Sequence, residues 1–201
     1  MAVFENEKFK YDKHDFKQID INGKRTKVYR IISKINFCTR NQMIVEGQKG
    51  GYCALGTLSE KGTCWVDQYS VVGPNCYVSC YAYIEKSLLA HDCSVSGRAF
   101  VGNSQINPNE SCGIVENARV MNSKIKGDLY MGGASKLIDS TVNGDLKMQD
   151  EANLAHCLMN AEKQISVAGT TQISFREISG EGIIGVSDKI ELKEIENGIT
   201  K

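Results

Sequence analysis

The sequence predicts an all-β fold, a parallel β-helix of the solenoid type, from three observations. An apolar residue recurs every five or six positions, a small residue keeps step with it, and a polar pair recurs once per unit. The apolar anchors begin at Val66, Val72, Val78 and Ile84 and continue through Leu89, Val95, Val101 and Ile106. A two-residue insertion precedes Ile114, Val120 and Ile125, and the run resumes with Met131, Leu137, Val142, Met148, Leu154, Met159 and Ile165. A second two-residue insertion precedes Ile173, followed by Ile178, Ile184, Ile190 and Ile195. From Val72 the steps read six, six, five, which marks seven units between 72 and 194 of lengths 17, 17, 19, 17, 17, 19 and 17. An α-helix cannot use this period, because a six-residue step carries the apolar residue off the buried face. Hairpin sheets need turn signals every ~8–12 residues with alternation between them. A coil with three short sides uses the period directly, each anchor pointing into a triangular prism and coils stacking at ~4.8 Å.

The small residue comes four positions after the anchors of the long sides: Ser70, Cys76, Ala82, Cys93, Ala99, Ala118, Ser135, Ala152, Gly169 and Gly182. One large and one small inward residue per side fills a narrow prism without overpacking. Leu129 and Leu146 depart from the rule one coil apart and predict a locally wider stack, while Glu110 and Lys163 depart from it near the longer coils. The short side carries Lys86-Ser87, Asn103-Ser104, Asn122-Ser123, Asp139-Ser140 and His156-Cys157. Asn and Asp tolerate the left-handed backbone of a tight corner, so these columns read as structural, with the serines inward or bonding adjacent coils.

Residues 1–64 do not follow the period and form a first portion ahead of the solenoid of 65–201. Lys8 to Lys17 mixes charges with Phe9, Tyr11 and Phe16, and reads as a solvated or partner-facing segment. Two strand-like runs, Phe16 to Ile21 and Arg25 to Ile32, flank Asn22-Gly23, a strong hairpin signal. A hairpin here would cap the open end of the first coil, where unpaired backbone needs cover.

Three segments, Val45-Glu46-Gly47-Gln48-Lys49-Gly50-Gly51-Tyr52, Leu58-Ser59-Glu60-Lys61-Gly62-Thr63-Cys64-Trp65-Val66 and Gly97-Arg98-Ala99-Phe100-Val101-Gly102-Asn103-Ser104, carry a family resemblance. The chain resembles the hexapeptide-repeat proteins and, more closely, the YdcK-type β-solenoid family of bacterial and phage genomes, from about residue 40 to the end. The resemblance implies left-handedness. The expected fold is therefore a single-stranded left-handed parallel β-helix of about seven 17–19-residue coils, preceded by a small N-terminal β-hairpin cap. It implies no particular reaction.

Equal numbers of basic and acidic residues, 24 of each, exclude a uniformly basic nucleic-acid binder and an acidic tail. The N-terminus has no apolar run of signal length, and no stretch approaches the ~20 apolar residues of a membrane span. Eight cysteines in a chain of 201 residues without a signal read as reduced thiols, so a cytoplasmic protein is expected. Cys76 and Cys80 are four apart, and neither a second pair nor a nearby histidine completes a zinc site.

His91, followed by Asp92, and His156, one coil above Asp139, are the candidate general bases of an acyltransferase, since a carboxylate-oriented imidazole suits proton transfer. The plainer reading makes each a corner residue, and His14 a surface one. The acidic column Asp92, Asn109, Asp128, Asp145, Glu162 and Glu181 reads foremost as turn chemistry, with cation binding and partner contact as alternatives. Basic residues for an anion are Arg40, Lys49, Arg98, Arg119, Lys124 and Lys126. Lys49, Tyr52, Arg98 and Arg119 are the expected ligand-binding residues. No catalytic residue, metal or cofactor is assigned. The expected function is a non-catalytic binding protein, a homotrimer by analogy, that sequesters a small anionic ligand such as a signalling nucleotide, a specialisation suggested by relatives in phage genomes. An acyltransferase and a structural assembly module are the alternatives.

Overall fold

A computed structural model of the chain describes residues 4–107, 112–121, 124–125, 129–139, 141–142, 146–155, 158–160, 165–167, 172–174, 177–179, 182–184, 189–191 and 195–196. It is all-β, without a helix among the described residues, and its body is a parallel β-solenoid of about five turns. The sides of the prism are three sheets whose strands add in register, coil upon coil. Val72 pairs with Leu89, Leu89 with Ile106 and Ile106 with Ile125 on the first side. Val78, Val95, Ile114 and Met131 stack on the second, and Val66, Ile84, Val101, Val120 and Leu137 on the third. All of these except Ile125, whose side chain is not described, are fully buried, as is Met148. The small residues lie beside them, with Ser70, Ala82, Cys93, Ala99, Ala118, Ser135 and Ala152 all at most 1% exposed. The period thus places two inward residues on a short side because a two- or three-residue strand leaves room for no more.

The corners are made by left-handed residues. Lys86, Asn103 and Asp139 end the third side with φ near 50°. Cys80, Gly97, Glu116, Gly133 and Asp150 form a second left-handed column, and Asn75 and Asp92 belong to a third. Behind the first column the serines join the coils. The Ser70 hydroxyl accepts from the Ser87 amide at 3.1 Å, and the Ser87 hydroxyl accepts from the Ser104 amide at 3.0 Å. Ser70 donates to the Asp67 carboxylate, and Ser87 and Ser104 to the Glu85 and Gly102 carbonyls, so each of these three buried hydroxyls is paired.

One anchor is reassigned. Ile165 pairs with Leu146, which continues the Cys93, Cys112 and Leu129 column, and Val167 pairs with Met148 and Ile184. The second insertion therefore lies between Met159 and Val167, not between 165 and 173. Period alone misplaced it because Ile165 falls six residues after Met159, whereas parallel pairing must match the coil beneath. Both eight-residue steps, 106 to 114 and 159 to 167, leave the first side for the second.

Ahead of the stack, β1 (Phe9–Ile21) pairs antiparallel with β2 (Lys24–Ser33) around Asn22 and Gly23, both left-handed. The short strands β3 (Phe37–Cys38) and β4 (Met43–Ile44) form a second antiparallel pair. β5 (Lys49–Cys53) pairs antiparallel with β2 on one edge and parallel with Val71–Val72 on the other. Parallel pairing therefore begins at Tyr52, ahead of residue 65, and Leu58 bridges to Val78. The Lys8–Lys17 segment is not uniformly solvated. Lys8 and Phe9 are buried, and Tyr11 nearly so. The Lys8 ammonium donates to the carbonyls of Gly62 (2.9 Å) and Cys64 (3.4 Å) and sits 4.1 Å from the Phe37 ring centroid. Burial lowers its pKa, but two carbonyls and an aromatic face offset the lost hydration.

Candidate functional site

A cavity of about 410 Å³ opens where the β3–β4 turn lies against the second corner column. The column supplies Thr63, Tyr81, Arg98 and Asn117. Each is the residue following a left-handed one: Gly62, Cys80, Gly97 and Glu116 respectively. A left-handed residue turns the chain sharply, so the next side chain is thrown outward at the edge of the prism. The turn supplies Thr39 and Arg40. Thr39 locks it, its hydroxyl donating to the Gln42 carbonyl at 2.8 Å and accepting from the amides of Asn41 and Gln42. Arg40 projects from this turn and donates to the Arg98 carbonyl at 3.2 Å. The Arg98 guanidinium carbon lies 6.0 Å from the Tyr81 ring centroid, and Tyr81 is half exposed. Among the described residues no carboxylate lines the cavity. Two guanidiniums, of which Arg40 gives one bond to the protein, leave several donors directed by chemistry toward an anion.

The four expected ligand residues are not gathered here. Arg98 alone lines this cavity. Lys49 lines a separate groove, and its ammonium lies 3.8 Å from Asp15. Tyr52 is 7% exposed, and its hydroxyl donates to Asp15 (2.9 Å) and accepts from Arg30 (2.6 Å). Its ring lies between charges, with the Arg30 guanidinium carbon 3.9 Å and the Lys17 ammonium 4.2 Å from the centroid. A bulge in β1 makes this cluster: three residues, Lys13, His14 and Asp15, intervene between the paired Asp12 and Phe16, while their partners Arg30 and Tyr29 are adjacent. The Tyr52 hydroxyl, then Arg30 and Lys49, hold the Asp15 carboxyl below its ordinary pKa. The phenol is thus committed to tying β1 and β2 to the first coil. Gly50 and Gly51 serve packing as well, since a Cβ at Gly50 would meet Ile31 and the Val66 carbonyl at 2.7 Å, and one at Gly51 the carbonyl of Asp67 at 2.5 Å. Arg119 stands outward on the third side, next to Phe100 below and Lys136 above, and lines neither space.

His91 is 8% exposed. Its Nδ1 meets the Asp92 carboxylate at 2.7 Å, and its Nε2 meets the Asn22 carboxamide nitrogen at 3.3 Å. The first contact lowers the Asp92 pKa. Both ring nitrogens are therefore engaged, Nδ1 within the corner and Nε2 with the β1–β2 turn. Asp92 has φ 47°, as a corner residue should. His14 is exposed at the bulge. His156, Asn109, Asp128, Asp145, Glu162, Glu181 and Lys126 lie outside the described residues, and the side chain of Lys124 is not described. Among the described residues no group of three or more His, Cys, Asp or Glu side chains is placed to hold a metal ion, and no helix is long and apolar enough to cross a membrane.

Sequence reasoning named Arg40 and Arg98 as separate cations but missed the cavity. The signal available was the spacing of Tyr81, Arg98 and Asn117, each following a corner residue in successive coils. No family model matches the chain, and no curated protein matches it.

Proposed function

We propose that this protein is a non-catalytic β-solenoid binding protein that holds a small anion, such as a nucleotide, between Arg40 and Arg98. The observation that carries the reading is the cavity of about 410 Å³ with two guanidiniums and, among the described residues, no carboxylate. Its volume falls in the usual small-ligand range of ~300–1,000 Å³. Tyr81 offers a flat face to a base, and Thr63 and Asn117 offer polar contacts to its edge. The engagement of both His91 nitrogens favours binding over acyl transfer. In this reading the chain is a cytoplasmic, left-handed β-helix of the YdcK type with a hairpin cap. It acts as a homotrimer that sequesters its ligand. In-register pairing of Val142, Met159, Ile178 and Ile195 supports about seven coils.

Calorimetric titration with mononucleotides and cyclic nucleotides tests the reading. Arg40→Ala and Arg98→Ala each weaken binding by about tenfold or more, the scale of one charge-assisted contact, without lowering the melting temperature. Lys49→Ala and Arg119→Ala retain affinity, because neither residue lines this cavity. Absence of nucleotide binding, or full affinity in both cavity variants, overturns the reading.

A further inference from the structure

On the other side of the β3–β4 turn lies a groove of about 400 Å³ whose chemistry differs from that of the anion cavity. Its floor includes Trp65 and Tyr83, both nearly fully buried, and its rim carries Tyr69, which is 68% exposed. Three carboxamides, Gln42, Gln48 and Gln68, face it from three separate turns. Gln42 uses its amide nitrogen to donate to the Tyr83 hydroxyl at 3.0 Å, and Gln48 uses its carbonyl to accept from the Val45 amide at 3.1 Å. The Gln42 carbonyl oxygen, the Gln48 amide nitrogen and the whole Gln68 carboxamide have no hydrogen-bond partner among the described residues. Together they present both acceptors and donors.

The charges cancel. Lys49 and Lys86 are matched by Asp67 and Glu85, and the Lys86 ammonium is 4.0 Å from Glu85. A small anion would meet two carboxylates, and a small cation two ammoniums. An uncharged ligand meets no such opposition. The groove is also fixed in advance. Asp67 is 9% exposed, and its Oδ1 accepts from the Tyr69 amide, the Ser70 hydroxyl and the Lys86 amide. That one carboxylate oxygen therefore pins the Gln68–Tyr69 corner to the next coil, which lowers the ordering cost of binding.

We infer that this groove is a second binding site, for an uncharged saccharide. A sugar ring pairs an apolar C–H face with hydroxyls that both donate and accept. The exposed Tyr69 ring suits the face, and the three carboxamides and the balanced charges suit the hydroxyls. The site is independent of the anion cavity, with which it shares no lining residue.

Trp65 is the only tryptophan in the chain, so intrinsic fluorescence reports on this groove. Titration of the full-length protein with glucose, galactose, mannose, N-acetylglucosamine and linear neutral trisaccharides gives a saturable change with at least one of them. Tyr69→Ala and Gln68→Ala each weaken that response by about tenfold while the melting temperature is kept. Both are exposed corner side chains, so folding is not at stake. Arg98→Ala leaves the response unchanged, which separates this site from the proposed anion site. Absence of saturation by any saccharide, equal affinity in both groove variants, or saturation only by zwitterionic dipeptides overturns the inference.

Discussion

Between Tyr52 and Ala152 the protein is organised in columns, whereas residues 4–48 are held by contacts that occur once. In the stack, Val66, Ile84, Val101, Val120 and Leu137 do the same task in successive coils, and the serine ladder repeats its geometry from coil to coil. In the first portion nothing repeats. The Lys8 ammonium reaches the carbonyls of Gly62 and Cys64, Asn22 meets His91, and Asp15 meets Tyr52 through a bulge. A column tells its own rule many times over, so a reader of the sequence can find it. A single long-range contact leaves no trace in any period. At the end of the stack the Lys8 ammonium meets the Gly62 carbonyl, and the rings of Phe9 and Phe37 lie against Trp65.

The largest effect comes from breaking a column. Val101→Asp or Leu137→Asp forces an unpaired carboxylate into a dry prism, a cost of several kcal/mol, and circular dichroism finds each variant unfolded or grossly destabilised. Comparable melting for Leu137→Asp and the wild type would remove the inward assignment of that column.

Alkaline pH reaches the same core by another route. Burial pushes the Cys64 thiol up to about 11 and the Cys76 thiol up to about 12. A thiol whose pKa is raised in the folded state adds stability below its unfolded value near 9, and that stability is lost as pH rises through the folded one. Melting temperature therefore falls between about pH 9 and 12. At pH 8, alkylation monitored by mass modifies Cys38 and Cys80, which are exposed, and spares Cys53, Cys64, Cys76, Cys93 and Cys112 until denaturant is added. The unlabelled native chain shows no mass deficit from disulfide formation. Fast labelling of Cys93 in the native protein would contradict this burial.

The single-contact region gives a smaller, local effect. Lys8→Met keeps the aliphatic stem and leaves the two carbonyls unpaired, which costs about 1–3 kcal/mol. Native-state hydrogen exchange finds the loss confined to the amides of the first coil and the strands over it. Exchange accelerated uniformly to Leu137 would mean that the first portion and the stack are one cooperative unit. The smallest effect is that of Lys147→Asp, a change of under ~0.5 kcal/mol in chemical denaturation, because the residue pairs outside the anchor columns between Leu146 and Met148.

The same contrast explains what the sequence revealed. The anchors were legible because each coil restates the inward position, and only Ile165 misled, since two isoleucine-valine neighbours satisfied the period equally. The corner pairs were legible through Asn103 and Asp139. Lys8 was not, because a lysine in a charged run reads as solvent-facing until residues 62 and 64 are brought over it. Lys49-Gly50-Gly51-Tyr52 suggested a ligand loop, yet its glycines admit neighbouring backbone and its tyrosine binds Asp15. The cavity between Arg40 and Arg98 depends on Arg40 meeting a corner column 58 residues away, a meeting that no local pattern encodes.

The two eight-residue steps fall at one and the same corner of the prism, three coils apart. Pairing resumes in register after the first of them, with Val95 on Ile114, and after the second, with Met148 on Val167. At both steps the chain is two residues longer than the usual six, and the strands that follow still pair with the coil beneath. Segments grafted between the strands, after Ile106 and before Cys112 or after Asn160 and before Ile165, would leave from the same side-to-side step, roughly 14 Å apart at ~4.8 Å per coil. The solenoid is in that respect a ruler with two mounting points, on which a pair of peptides could be displayed at a fixed separation.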